Sequence, residues 1–111
     1  MEAEYAAVHV RMVPAAESGR QTPVRLAGTV SHSYKPHFRI GRDGQYLGVA
    51  FLEGPERLAP GEESDATVLL LYTSTGVDYS PLVPGVQFDV VEGPHIVARG
   101  TVLRRWRGEL P

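Results

Sequence analysis

The chain has 111 residues, 42% hydrophobic and 22% charged, with a formal net charge of -2, which fits one globular domain and excludes both a wholly disordered chain and a surface that attracts phosphate backbones all round. It has no cysteine, so disulfides, thiolate nucleophiles and cysteine-ligated zinc are excluded. No apolar run reaches the length of a membrane span, and the acidic start Met1-Glu2-Ala3-Glu4 lacks the basic and apolar regions of a secretory leader; the expected location is the cytoplasm, with no membrane partner.

Along the chain, Glu4 to Met12 alternates, with Ala6, Val8, Val10 and Met12 on one face and Tyr5, Ala7, His9 and Arg11 on the other, which predicts a half-buried first strand. Val13 to Pro23 is small, polar and bounded by prolines: a loop, with at most a single helical turn at Ala15-Ala16-Glu17. Val24 to Ala27 reads as a short edge segment before Gly28. Thr29 to Ser33 and His37 to Gly41 read as extended on either side of Pro36, which removes a ladder donor and marks an edge or a bend. Phe38 and Ile40 share the inward face. Arg42-Asp43-Gly44-Gln45 is expected to be a hairpin turn, with Asp-Gly supplying positive φ, after which Leu47, Val49 and Phe51 alternate into the core.

Gly54 to Glu62 is a crossing with two turn signals, and Ala66 to Tyr72 is the most apolar strand. Thr73 to Pro84 is a long connection rich in Ser, Thr, Gly and Pro. Val86 to Val91 and Ile96 to Arg105 then pair as a hairpin around Glu92-Gly93-Pro94-His95, and Gly100 suggests a bulge or bend in the last strand. Strands of this number and spacing predict a small sandwich or barrel, and closure into a barrel removes exposed edges.

The chemistry of the side chains is sparse. The only lysine, Lys35, follows Tyr34 with no glycine-rich phosphate loop before it, so this chain is not expected to be a phosphate-loop GTPase, and no nucleotide partner is expected. His32 and His37, even with His9, lack the close spacing of a metal site, and the serines sit in turn-like or alternating contexts without a nucleophile elbow. Neither a metal, a cofactor nor a catalytic residue is expected. Glu62 and Glu63 are adjacent, should point to opposite faces and should be solvated. Arg104-Arg105-Trp106-Arg107 is the one local cluster that is both basic and aromatic; Arg104 and Arg105 could grip phosphates, but should face opposite ways if the strand continues, which favours a protein interface or a barrel seal.

Four turn punctuations, Gly19-Arg20-Gln21-Thr22-Pro23, Tyr34-Lys35-Pro36-His37-Phe38, Pro60-Gly61-Glu62, and Phe88 to Gly93 followed by Val97-Ala98-Arg99-Gly100, occur in an order that resembles the C-terminal third domain of elongation factor Tu. The resemblance spans Glu4 to Trp106 and implies an all-β fold, a six-stranded antiparallel Greek-key β-barrel, standing here without the GTPase domain. It sets the domain at residues 4–106, with residues 1–3 and 107–111 as short flexible ends. In that family the barrel is a binding module that packs on neighbouring domains and touches the T-stem of aminoacyl-tRNA, largely through its last hairpin. The family hairpin reads arginine-glutamate-glycine-glycine-arginine; here the matching residues are Val91, Glu92, Gly93, Pro94 and His95, so both arginines are missing. The resemblance thus implies a non-enzymatic module that binds a partner of the translation machinery or mimics elongation factor Tu, with a protein partner ahead of tRNA or other RNA. The binding residues it suggests are Tyr34, Lys35, Pro36 and His37 and the hairpin Glu92, Gly93, Pro94 and His95, to which the tail adds Arg104 and Arg105. The alternative is a detached structural or regulatory domain that completes an assembly with a separately encoded GTPase or barrel domain.

Overall fold

In β1 (Glu2–Met12) the even residues Ala6, Val8, Val10 and Met12 are all buried while Ala7 and His9 are half-buried and Arg11 is exposed, the alternation of a strand with one face on a core. The structure, a computed structural model, describes residues 1–18 and 20–111; Gly19, the first residue of one expected turn, lies outside the described residues. After a single helical turn, α1 (Ala15–Ser18), follow β2 (His37–Arg39), β3 (Leu47–Glu53), β4 (Glu63–Leu70), β5 (Gln87–Glu92) and β6 (His95–Glu109). Every pairing is antiparallel, and the order β1-β4-β3-β2-β5-β6 closes on itself through β1 and β6. The fold is a closed six-stranded antiparallel barrel. β2, β3 and β4 are consecutive neighbours and β1 lies beside β4, which is Greek-key wiring. Among the described residues no helix is long and apolar enough to cross a membrane.

The interior is filled by side chains from every strand. Phe38 and Phe88 stack at 4.0 Å between ring centroids, Phe51 meets Phe38 edge-on at 6.0 Å, and Val8, Val49, Val68, Val90 and Val102 pack around them. Burying a side chain of this kind contributes about 1.5–3 kcal/mol, so the closed core is the dominant source of stability. The expected inward positions Phe38, Leu47, Val49 and Phe51 are all buried, and Ile40 is partly buried against the same cluster.

Several local expectations are corrected. β1 and β6 pair from Glu2 opposite Glu109, so the ends anticipated as flexible are mostly ladder. The most apolar strand starts at Glu63 rather than Ala66 and ends at Leu70. Thr29 to Ser33 is not extended: Thr29 and His32 exchange both backbone hydrogen bonds, 3.1 and 3.2 Å, in a tight reversal. Val24 to Ala27 is held by a single bridge, Val24 to Leu58, and by Leu26 N–H to Pro55 O at 2.9 Å. The positive φ before β3 is at Gly41 (74°), not at Gly44, whose missing Cβ instead makes room for the Ile40 carbonyl, 2.2 Å from where that carbon would lie. Pro36 is buried and only accepts, its carbonyl taking the Val49 N–H at 3.2 Å, so the β2–β3 seam continues past a residue that cannot donate.

Gly100 is not a bulge. The irregularities fall where Leu103 is extra between β1 and β6, where Val97 is extra between β5 and β6, and where Leu52 is extra between β3 and β4. Gly100 pairs regularly with Val10 and Phe88, and its missing Cβ is the space into which the Phe88 ring lies.

Candidate binding surface

Three segments far apart in sequence meet at the end of the barrel where β5 turns into β6. The turn is Gly93-Pro94: Gly93 has φ 56°, and the proline that follows fixes its own φ negative, the pattern of a primed two-residue hairpin. β2 lies alongside β5, with His37 opposite Val91 and Phe38 opposite Val90. Tyr34 to His37 therefore runs beside the hairpin, and the two groups expected to bind are brought together.

What joins them is an ion pair and a phenol. The Arg20 Nη1 donates to both oxygens of Glu92, at 2.7 and 2.6 Å, Nη2 donates to Pro23 O at 3.3 Å, and the Tyr34 hydroxyl donates to Glu92 Oε2. The Arg20 guanidinium also lies over the Tyr34 ring, 5.6 Å from its centroid, and that ring stacks on Phe51 at 5.6 Å. Burial, foremost, then the hydrogen bond to Glu92 and the charge of Glu92, raise the Tyr34 pKa well above that of a free phenol, against the opposing pull of Arg20. Arg20 and Glu92 are both less than one-third exposed, which makes this a partly desolvated, charge-assisted network worth more than a surface ion pair.

The expected binding residues separate accordingly. Tyr34 and Glu92 hold the barrel end rigid rather than reaching outward, and Pro36 is buried. Lys35, Gly93, Pro94 and His95 are exposed, and His37 is half-exposed with its ring 5.6 Å from that of Tyr46. Val91, at the first hairpin-arginine position of the family pattern, is buried.

Arg104 and Arg105 do not join this end. They lie about 30 Å along β6 from His95, at roughly 3.3 Å per residue. They do face opposite ways. Arg105 turns toward the barrel end, donating to Leu82 O at 2.8 Å, Tyr79 O at 3.2 Å and Glu4 Oε1 at 2.9 Å, and so ties the long connection after β4 to β1. Arg104 points outward, its guanidinium 4.4 Å from the Trp106 ring centroid.

The outer face of the sheet carries a second apolar cluster that the periodicity did not single out. Trp106 stacks on Tyr5 at 5.7 Å, and Tyr5, Leu69 and Ala50 are buried there with Val30, Leu52 and Leu71 against them. This cluster explains why Ala66 to Leu70 stops alternating: Val68 and Leu70 face the interior while Leu69 is covered from outside. The signal for it was available, since Tyr5 falls on the outward face of the first strand and Trp106 in the tail cluster, but their meeting depends on the β1–β6 register.

The histidines have separate partners. His9 Nδ1 faces Asp65 Oδ1 at 2.7 Å and Nε2 faces Glu63 Oε1 at 2.9 Å; hydrogen bonds first to Asp65 and then to Glu63 raise its pKa. His32 Nδ1 is 3.0 Å from Ser31 Oγ. Glu63 is thus tied to His9 rather than simply solvated, and Glu62 Oε1 accepts the Ala59 N–H at 2.7 Å to close the Pro60-Gly61 turn. Among the described residues no group of three or more metal-ligating side chains could hold a metal ion. No protein-family model matches the chain, and no curated protein sequence matches it.

Proposed function

We propose that this protein is a non-enzymatic binding barrel that engages a protein partner through the hairpin end of the barrel, and that the barrel is a relative of the third domain of elongation factor Tu. The observation that carries the reading is the Arg20–Glu92–Tyr34 network, which locks the Tyr34–His37 segment to the β5–β6 hairpin so that Lys35, His37, Pro94 and His95 are presented from a preorganised surface. Preorganisation lowers the ordering cost of association, which is what a recognition surface gains from rigidity. The motif order gives the translation context: the partner is a component of the translation apparatus, or a factor that recognises elongation factor Tu and meets its likeness here.

A protein partner is favoured over RNA on charge. Arg20 is matched by Glu92, the hairpin positions that carry arginine in the family are Val91 and His95, and Lys35 is an exposed cation on the segment beside the hairpin. Phosphate recognition needs several such contacts before binding becomes strong.

The test is affinity capture from native cytoplasm with the wild-type chain and with a Lys35→Glu, His95→Glu double variant, each with and without nuclease. A specific protein retained by the wild type, lost with the variant, insensitive to nuclease and displaced by intact elongation factor Tu supports the reading. Retention that the variant leaves unchanged removes the hairpin end as the surface, and nuclease-sensitive retention assigns the surface to RNA.

A further inference from the structure

On the outer face of the barrel, away from the hairpin end, a groove of about 700 Å³ runs between the Gly28–Ser31 segment and the last turn of β6. Its lining includes Tyr5, Val30, Leu52, Thr67 and Trp106. It belongs to a face that crosses four neighbouring strands, from Trp106 on β6 through Tyr5 on β1 and Leu69 on β4 to Ala50 and Leu52 on β3. Three strand spacings of about 4.8 Å make that face about 14 Å wide, the reach of four residues of extended chain.

Two features show what chemistry fits. The charged side chains in the lining, Glu53 and Glu109, are both acidic. Glu109 is already paired with the amino terminus at 2.9 Å, whereas the exposed Glu53 carboxylate makes no ion pair among the described residues. The second is the Trp106 indole N–H, which lies near Gly108, another lining residue, and donates to no group among the described residues. An occupant that satisfies this surface brings apolar side chains for Tyr5, Leu52 and Trp106, a carbonyl for the indole N–H and a cation for Glu53. A partner's peptide segment in which leucine-like residues are accompanied by arginine or lysine supplies all three; a nucleic-acid strand supplies phosphates that the unpaired Glu53 carboxylate repels.

We propose that this groove is a docking site for a short apolar-and-basic segment of a partner protein, separate from the hairpin end and independent of the proposed function above. Trp106 is the aromatic anchor and Glu53 sets the charge preference, an arrangement in keeping with the enrichment of tryptophan at the energetic centre of interfaces.

Because Trp106 is the single tryptophan, its indole N–H gives one assignable resonance in a nitrogen-correlated NMR spectrum. The probe is a blocked hexapeptide alternating leucine and arginine, titrated into the full chain at low salt; its counterpart alternates leucine and glutamate. The expected result is a saturable shift of the Trp106 indole with the arginine peptide and none with the glutamate peptide at equal concentration. Glu53→Lys, which alters an exposed residue at the end of β3, should weaken the arginine peptide about tenfold, the effect of losing one favourable charge pair, about 1.4 kcal/mol. A Lys35→Glu, His95→Glu variant should leave the titration unchanged, so that failure of this site and failure of the hairpin end are told apart.

Equal shifts with the two peptides, an unchanged affinity in Glu53→Lys, or no indole shift up to millimolar peptide would each overturn the proposal. A shift that appears with protein concentration in the absence of peptide would assign the face to a second copy of the chain, and a shift produced by oligouridylate would assign it to RNA; both also overturn it. Backbone resonances of Glu53→Lys matching the wild type away from β3 establish that the variant is folded before it is titrated.

Discussion

Gly100→Ala is the most direct test of how this barrel closes. A Cβ on Gly100 would lie 2.5 Å from Phe88 Cζ, 2.8 Å from Phe88 Cε1 and 2.7 Å from the His9 carbonyl oxygen. Carbon contacts are comfortable at about 3.5–4.0 Å, so the ring would have to retreat by about 1 Å. It has nowhere to go, because its other neighbour is Phe38, stacked at 4.0 Å and fully buried. Nor does the backbone give freely, since Val10 pairs with Gly100 and His9 with Thr101 in the β1–β6 ladder. Over-packing of a filled core costs about 1–3 kcal/mol, and with a fixed ring and a carbonyl both in the way the expected loss is about 3 kcal/mol, or about 10–20 °C in melting temperature for a domain of this size. Thermal unfolding followed by circular dichroism, with urea melts at constant m, measures it. Gly108→Ala is the internal control: on the same strand, its added carbon would meet nothing nearer than Tyr5 Cε2 at 3.6 Å, and the change should be neutral or slightly stabilising. Phe88→Leu introduced together with Gly100→Ala should cost less than the sum of the two single changes by about 1 kcal/mol, because the shorter side chain clears the clash. Equal melting temperatures for the two alanine variants would refute the close-approach reading and return Gly100 to the status of an ordinary strand glycine.

Other consequences concern the polar ties. Tyr34→Phe deletes the donor to Glu92 and should cost about 1–3 kcal/mol at neutral pH, read from urea unfolding. The raised Tyr34 pKa means that its stabilising contribution is complete below the unfolded-state value of about 10 and is lost as pH rises above it; the wild type should therefore weaken through alkaline pH, with Tyr79, also raised by burial, adding to the slope, and Tyr34→Phe should show a shallower decline. Arg105→Lys should cost about 1–3 kcal/mol, because an ammonium cannot hold the Tyr79 and Leu82 carbonyls and the Glu4 carboxylate in one fork, and hydrogen exchange should rise first in the Thr73–Pro84 connection. His9, with its pKa raised by Asp65 and Glu63, stabilises fully below about pH 6.5 and loses that contribution as pH rises through its folded value; the half-exposed site limits the effect to a few tenths of a kcal/mol, and His9→Gln should flatten it in melts taken between pH 5 and pH 8.

The strands and their inward residues were legible in the sequence because a half-buried strand writes its face every second residue, as β1 does from Ala6 to Met12. Turn chemistry was legible where one residue type decides it, as at Gly93-Pro94, and misleading at Gly44, where glycine is demanded by the approach of a carbonyl and not by its own φ. What the alternation could not convey was anything fixed by register. Arg20, Tyr34 and Glu92 are separated by 58 and 72 residues across their contacts, and each alone reads as a solvated polar side chain. Gly100 read as a bend because a glycine inside a strand has two physical explanations, and only the position of Phe88 on the neighbouring strand chooses between them.

The same distinction bears on which surfaces are free to bind. A polar turn residue in a small barrel can be exposed for recognition or occupied in holding two ends of the chain together, and its hydrogen-bond partners decide between the two. Tyr34, Glu92 and Arg105 are occupied, each reaching across more than 20 residues to close a seam. Lys35 and His95 have no such tie among the described residues and stand beside residues that do, so their backbone is held in place while their side chains remain free. Breaking the network with Glu92→Gln should therefore weaken the binding proposed for the hairpin end without removing any exposed contact. Restoring affinity by a disulfide between the two segments, while the network remains broken, would attribute the loss to lost preorganisation rather than to a missing contact.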